Sequence, residues 1–136
     1  MSYNPHSGRT FEDIVQSMLN FMGYNTKANH TLHTRQTHIR AELEHAKGKM
    51  KLHIECKHQP NEPVSVHEVE CFCSKVAIAR ENSEVDGGLL ISNTEFTPEA
   101  LSWCARNCSF VQLKTYKQLI HFSARYKKLL NKFHVN

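Results

Sequence analysis

The chain has 136 residues, of which 40% are apolar and 22% are charged, and its formal net charge is +4 with histidine neutral. That length suffices for one hydrophobic core and is too short for two ordinary domains, so we treat residues 1–136 as a single domain, either whole or part of a longer protein. No apolar run approaches the ~18 residues of a transmembrane helix, and the first residues lack a signal-peptide segment, which argues against a membrane protein. The five cysteines are therefore expected to be free thiols in a soluble cytoplasmic protein.

The first predicted element is an amphipathic helix. Apolar residues recur at helical spacing from Phe11 to Met22, and Gly23 follows where such a helix should end. Thr10 is predicted to cap its N-terminus. Glu12 then falls in the first turn, outside the apolar stripe, where a carboxylate interacts favourably with the helix dipole.

A β-hairpin is predicted next, after a weak polar strand candidate at 24–32. Residues 37–45 and 50–57 both alternate apolar and polar side chains, and the Ala-Lys-Gly-Lys sequence between them is typical of a turn. Alternation on both sides of a glycine-containing turn favours antiparallel pairing.

The register of this hairpin determines which polar side chains meet. If the turn pairs His45 with Met50, the apolar faces of both strands agree and His38 lies opposite Lys57. The other face is too charged for a second core face, so we expect it to be solvent-exposed or a functional site. This hairpin polar face comprises His38, Arg40, Glu42, His53, Glu55 and Lys57.

The second half of the chain is predicted to alternate helices with strands. Ser65 begins a helix with a capping-box sequence, and the Thr-Pro pair at 97–98 opens another. Apolar runs at 89–91 and 110–113 predict strands, the first buried on both faces, and 115–136 is predicted as a C-terminal helix. The element order predicts an α/β fold around a mixed sheet.

The tripeptide Glu55-Cys56-Lys57 carries the clearest chemical signal. Residues two apart on a strand point to the same side, so the Glu55 carboxylate and the Lys57 ammonium lie a few ångströms apart. Phosphodiester hydrolysis uses such a pair: a carboxylate that holds a divalent metal, and a cation that orients water or stabilises developing charge. A simple salt bridge is the alternative, because Glu-x-Lys is common in exposed strands.

Four segments of the chain are informative through their order and spacing, although each is weak alone. They are Gly8-Arg9-Thr10-Phe11-Glu12-Asp13-Ile14-Val15, Ile54-Glu55-Cys56-Lys57-His58, Pro63-Val64-Ser65-Val66 and Gly87-Gly88-Leu89-Leu90-Ile91-Ser92-Asn93-Thr94. Together they resemble the Mrr-like restriction endonucleases of the PD-(D/E)xK nuclease superfamily, from about residue 8 to 120. The resemblance implies a three-layer restriction-endonuclease-like fold, a mixed central sheet flanked by helices, and Mg²⁺ as cofactor, with Mn²⁺ as an alternative.

The resemblance also implies a role for each matched residue. Glu55 is expected to bind the metal together with the Cys56 carbonyl, Lys57 to be the lysine of the motif, and Glu12 to be the helix acid that completes the site. The implied DNA contacts are Arg9, Gln59 and Lys75, the last two with a solvated face as the alternative.

One position departs from the family pattern. His38 stands near the start of the first hairpin strand, where the family has an aspartate. Imidazole is a poor ligand for Mg²⁺ and a better one for manganese, nickel or zinc. Either His38 binds such a metal or acts on water, or Glu42 or another acid substitutes, or the domain is weak, inactive or an engineered Asp-to-His variant. Because Glu42 lies roughly 13 Å further along the strand, His38 is favoured as catalytic group and metal ligand.

Other residues of metal-ligand type receive plainer interpretations. Cys71 and Cys73 point about 200° apart on a helix, and their spacing from Cys104 and Cys108 is not that of a zinc finger, so core or surface thiols are predicted. His53 faces the site in the predicted register. With ten histidines in the chain, however, a surface role is expected for it.

Together with the Glu55–Lys57 pair, the resemblance implies a metal-dependent endonuclease that hydrolyses double-stranded DNA as a restriction or antiviral defence effector. The resemblance implies a homodimer with one active site per strand. A fused or associated ATPase or sensor domain is compatible with the small size of the chain and its basic C-terminal helix. Contacts mainly to phosphate imply low sequence preference. The alternatives are a catalytically inactive DNA-binding module, which would explain His38, and a Holliday-junction resolvase, which would prefer branched DNA.

Overall fold

A computed structural model describes the backbone of residues 8–30 and 37–132, and the side chains of residues 11–28, 38–44 and 46–125. The elements follow the order α1 (Gly8–Phe21), β1 (Asn25–His30), β2 (Thr37–His45), β3 (Gly48–Lys57), α2 (Val66–Glu81), β4 (Gly87–Ser92), α3 (Pro98–Asn107), β5 (Val111–Thr115) and α4 (Tyr116–Lys132). Among the described residues, no helix is both long and apolar enough to cross a membrane. Parts of the predicted first strand, 31–32, and of the C-terminal helix, 133–136, lie outside the described residues.

The strands form one five-stranded mixed sheet in sequence order, β1-β2-β3-β4-β5. Antiparallel pairing joins β1 to β2 and β2 to β3, whereas β3, β4 and β5 are parallel. Helices α1 and α4 cover one face, whose buried cluster includes Phe11, Val15, Leu19, Ile54, Ile91 and Leu119. Helices α2 and α3 cover the other, whose cluster includes Val69, Phe72, Val76, Leu90, Ala100 and Val111. The three-layer α/β fold predicted from the sequence is confirmed.

Helix α1 begins earlier than predicted. Its first residue is Gly8, so Thr10 lies within the helix rather than at its cap, and the first turn contains no acidic residue. The predicted first-turn position of Glu12 is therefore wrong. The predicted end is confirmed: Gly23 has a φ of +98°, a left-handed conformation that glycine adopts without a steric penalty.

The hairpin register differs from the prediction by two residues. His45 pairs with Gly48 across a two-residue loop, so His38 lies opposite Glu55 and not opposite Lys57. Two-residue loops are the commonest hairpin connections, and the predicted turn was two residues too long. Because side chains alternate with period two, this shift keeps the apolar and polar faces as predicted and changes only the cross-strand partners.

Helix α2 packs directly on the backbone of β4. A Cβ placed on Gly88 would lie 2.6 Å from Cγ2 of Val76 and 3.1 Å from two ring atoms of Phe72, both on α2. Only glycine therefore allows the observed approach. In β4 itself, Leu90 and Ile91 are both 0% exposed, which confirms the predicted strand buried on both faces.

The predicted caps of α2 and α3 and the predicted free thiols are confirmed. At the start of α2, the Glu68 amide donates to Ser65 Oγ at 3.3 Å and the Ser65 amide donates to Glu68 Oε2 at 2.8 Å. The Ala100 amide donates to Thr97 Oγ1 at 3.0 Å in α3. All five cysteines are free, and only Cys71 is exposed.

Candidate active site

Strand β3 presents different chemistry to the two faces of the sheet. Ile54 and Cys56 belong to the apolar cluster under α1. Glu55 points the other way, where it meets Lys75 of α2, and the His53 ring lies 5.8 Å from the ring of Phe72 on the same helix. Helix α2 therefore covers this part of the hairpin polar face, and Glu55 is only 1% exposed.

The Glu55 carboxylate is surrounded by basic groups. Its Oε1 lies 3.3 Å from Lys75 Nζ and 3.5 Å from His38 Nδ1, and its Oε2 lies 3.8 Å from Lys57 Nζ. A buried carboxylate is tolerated only when nearby charges or hydrogen bonds compensate it, and two ammonium groups do so here. The predicted Glu55–Lys57 proximity is confirmed. The Lys75 contact came from a different element and was not foreseen.

His53 is buried, so its predicted surface role is wrong. It is 7% exposed, and neither of its ring nitrogens has a hydrogen-bond partner among the described residues. The prediction failed because burial comes from α2, which the close approach at Gly88 brings across the strand. Alternation had placed the ring on the same face as Glu55, since the two residues are two apart on β3, and that part of the prediction is confirmed.

The two imidazoles lie together and are held in the neutral form near pH 7. Their ring centroids are 5.0 Å apart. Burial, followed by the charges of Arg40, His38 and Lys75, lowers the pKa of His53 to about 4. Burial also lowers the pKa of His38, although the Glu55 carboxylate opposes this shift. A neutral imidazole keeps a nitrogen lone pair, which is the form that binds metal ions.

His38, His53 and Glu55 form a three-donor cluster able to hold a metal ion. One nitrogen of each imidazole and one carboxylate oxygen all lie within 4.8 Å of one another. The alternative acid Glu42 lies elsewhere, with Oε2 3.8 Å from Lys49 Nζ near the hairpin turn. Two nitrogen donors and one oxygen fit a divalent transition metal, whereas Mg²⁺ prefers oxygen donors.

Glu12 approaches β3 from the opposite side of the sheet. Its neighbour Phe11 contacts His58 and Tyr116, with ring centroids 5.9 and 5.6 Å apart, so the start of α1 lies at the C-terminal end of β3. Glu12 is 7% exposed. Burial, then the charges of Glu12 and Glu55, raise the pKa of the Cys56 thiol, which therefore stays protonated. Participation of Glu12 and of the Cys56 carbonyl stays a prediction.

The predicted DNA contacts have different surroundings. The Gln59 amide donates to Asn93 Oδ1, Asn93 Nδ2 donates to the Gln59 carbonyl, both at 2.7 Å, and Gln59 Nε2 donates to Glu68 Oε1 at 2.6 Å. These bonds join the ends of β3 and β4 to α2. Lys75 contacts Glu55 and is the more exposed partner. Arg9 lies in α1, and its side chain is outside the described residues.

The mixed sheet, with a carboxylate and a lysine two residues apart on its central strand, defines the restriction-endonuclease-like class. A family model described as restriction endonuclease, Mrr_cat, matches residues 4–123, and the chain belongs to this family. The predicted family and the enzyme class, that of the restriction endonucleases, are thereby confirmed. A comparison with curated proteins finds no match.

Three solved structures share the fold. Apo EndoMS is 16% identical, with a TM-score of 0.59 over 81% of this chain and 45% of its own. The DNA modification-dependent restriction endonuclease AspBHI is 11% identical, with a TM-score of 0.56 over 90% and 34%. The MspJI restriction endonuclease in complex with a 27-mer oligonucleotide is 12% identical, with a TM-score of 0.55 over 90% and 31%. The chain thus spans less than half of each protein, and at these identities the likeness concerns the fold.

Proposed function

We propose that this domain is a metal-dependent endonuclease that hydrolyses the phosphodiester bonds of double-stranded DNA. One observation carries the proposal. A buried carboxylate on the central strand has two imidazoles beside it and a lysine ammonium 3.8 Å from its Oε2. Membership of a restriction endonuclease family supports the substrate class.

Each residue of the site has a proposed role. His38, His53 and Glu55 would hold the metal, with the Cys56 carbonyl as an additional donor. A divalent metal at this position supplies Lewis-acid activation of water and neutralises charge on the phosphate. Lys57 has a side chain 20% exposed, so its ammonium group can reach a phosphate oxygen or a water molecule from a fixed position beside Glu55. Glu12, from α1, would complete the site from the other side of the strand.

We also propose that DNA is held mainly through its phosphates. Lys75 reaches the site from α2 with its side chain 44% exposed, which suits a phosphate contact, and the chain carries a net charge of +4. Arg9 and Gln59 are proposed as further contacts. Such contacts position the duplex without reading its sequence, so we expect low sequence preference and affinity that falls with salt.

The biological setting belongs to the same proposal. We propose restriction or antiviral defence in the cytoplasm, a homodimer that cuts one strand per active site, and a fused or associated ATPase or sensor domain. Family membership supports the restriction role. Sedimentation with and without duplex DNA tests the proposed dimer, because a homodimer has twice the mass of the single chain.

The decisive experiment compares two lysines on the same face of β3. Plasmid cleavage is measured with Mg²⁺, Mn²⁺ and Zn²⁺ for the parent, Lys57→Ala and Lys49→Ala. Lys49 is the matched control, because it lies on the same strand but pairs with Glu42 and Glu44 at the hairpin end. Removal of one preorganised charge-stabilising group costs about 10²–10³-fold in rate, so we expect that loss for Lys57→Ala and less than about twofold for Lys49→Ala.

Other outcomes would change the assignment. Equal cleavage by Lys57→Ala and the parent would refute the proposed site. DNA binding that weakens with salt, without cleavage under any of the metals, would instead indicate an inactive DNA-binding module. The contact of His38 with Glu55 supports the enzyme, because His38 adds a donor to the cluster where the family has its aspartate.

A further inference from the structure

We infer that this site selects a divalent transition-metal ion in preference to Mg²⁺, with His38, His53 and Glu55 as its ligands. The inference rests on the proposed function in one respect, namely that the Glu55 site is the metal centre of the domain. The inference concerns the class of metal ion that the site binds. The donor atoms come from β2 and β3, the two strands of the hairpin.

The donor set is the first argument. Two of the three convergent atoms are imidazole nitrogens, and the third is a carboxylate oxygen. Mg²⁺ takes oxygen ligands and releases its water reluctantly, whereas imidazole binds manganese, iron, nickel and zinc, with affinity rising along the first-row series. An aspartate at position 38 would give an oxygen-rich site, and histidine reverses that preference.

The spacing is the second argument. With bonds of about 2.0–2.2 Å, two ligands of one ion lie roughly 3.0–3.5 Å apart. His38 Nδ1 and Glu55 Oε1 are already 3.5 Å apart, and cross-strand pairing in the register His38↔Glu55 fixes their backbones opposite each other. One His53 nitrogen lies within 4.8 Å of a nitrogen of His38 and of a carboxylate oxygen of Glu55, so a modest side-chain rotation would bring the third donor to the same ion.

The burial of His53 is the third argument. The residue is only 7% exposed, and both ring nitrogens are buried and lack a hydrogen-bond partner among the described residues. A polar group buried in this way loses its hydration without compensation, so it marks either a destabilised position or a ligand-binding one. The ring centroid lies 5.8 Å from that of Phe72 and 5.0 Å from that of His38, and one of its nitrogens lies within 4.8 Å of a Glu55 carboxylate oxygen, which is the group a shared ion would bridge.

Metal binding itself is the test. The full chain is stripped with a chelator, and Mg²⁺, Mn²⁺ and Zn²⁺ are titrated by calorimetry. We expect one strong site, with affinity rising from Mg²⁺ to Mn²⁺ to Zn²⁺ and at least 100-fold between the first and the last. His53→Gln should weaken Zn²⁺ binding about 10–100-fold and change Mg²⁺ binding by less than about threefold. His121→Gln, which removes an exposed histidine of α4, controls for adventitious binding by the ten histidines and should change nothing.

Two further variants make the test decisive. His38→Gln removes a donor that is partly exposed, so it reports on the site if His53→Gln fails to fold by circular dichroism. His38→Asp should raise Mg²⁺ affinity about tenfold and lower Zn²⁺ affinity. Mg²⁺ binding as tight as Zn²⁺ binding, or Zn²⁺ binding unaffected by either histidine variant, would overturn the inference.

The outcomes separate this inference from the proposed function. Selective Zn²⁺ or Mn²⁺ binding that depends on the histidines, without DNA cleavage, supports the inference and refutes the nuclease. Cleavage that depends on Lys57, together with metal binding that is indifferent to His38 and His53, supports the nuclease and refutes the inference.

Discussion

Because α2 lies so close to β4, the effect of Gly88→Ala on the free energy of unfolding can be predicted quantitatively. The new methyl group would lie 2.6 Å from Val76 Cγ2 and 3.1 Å from the Phe72 ring, about 1 Å short of an optimal carbon–carbon contact for the first of these. Overpacking of this kind costs about 1–3 kcal/mol, and the reduced freedom of the unfolded chain offsets about 0.4–1 kcal/mol of it. We therefore expect a net loss of about 1–2 kcal/mol in the free energy of unfolding.

A double-mutant cycle measured by urea unfolding isolates this contact. Val76 is fully buried, so Val76→Ala alone destabilises the fold by creating a cavity. In the double variant the methyl group at position 88 enters that cavity. The loss in free energy of unfolding measured for the double variant should therefore be at least about 1 kcal/mol smaller than the sum of the two single-variant losses. Additive losses would refute the steric reasoning, as would a Gly88→Ala variant as stable as the parent.

The same substitution should weaken the candidate metal site without changing a polar group. Phe72 packs against His53, and Lys75 of the same helix contacts Glu55. Outward movement of α2 disturbs both contacts. Gly87→Ala is the matched control, because its Cβ would meet a backbone oxygen of Phe110 at 2.7 Å, away from α2. It should destabilise the fold and leave metal affinity within about twofold, after correction for the folded fraction.

The remaining predictions concern Lys75 and the cysteines. Lys75→Met removes an ammonium group 3.3 Å from the Glu55 oxygen that would bind the metal, so calorimetry should show roughly tenfold tighter binding of a divalent cation, a figure reduced for the partial exposure of Lys75. Weaker or unchanged affinity would contradict this competition. Iodoacetamide at pH 8 should label only Cys71 in the native chain, because the other four thiols are buried and burial raises the pKa of Cys73. Mass spectrometry should find all five thiols labelled in urea, and rapid native labelling of Cys73 would contradict the described core.

Local patterns predicted much of the fold. Alternation identified both hairpin strands and placed Glu55 and Lys57 on one face, and the capping sequence at Ser65 located α2. These features depend on interactions between residues that are close together in the chain, so the local sequence pattern predicts them. The sequence placed the start of α1 at Thr10, whereas the helix begins at Gly8, because helix boundaries are only weakly encoded in local sequence.

The candidate site was predicted less completely, because its geometry depends on contacts between distant segments. The length of the hairpin loop decided whether His38 meets Lys57 or Glu55, and both registers preserve the same faces. The burial of His53 depends on α2, which packs closely only because position 88 in β4 is glycine. Neither relation follows from the composition of β3 alone.

The placement of all three candidate ligands on one hairpin has a consequence for the order of assembly. His38, His53 and Glu55 are brought together by β2–β3 pairing across a two-residue loop, so little chain entropy is lost in closing the site. The helix that covers them begins only at Val66, and the parallel pairing of β3 with β4 spans more than thirty residues. An ion bound by these residues would therefore stabilise the hairpin before the rest of the sheet forms, and would speed folding as well as strengthen the native state.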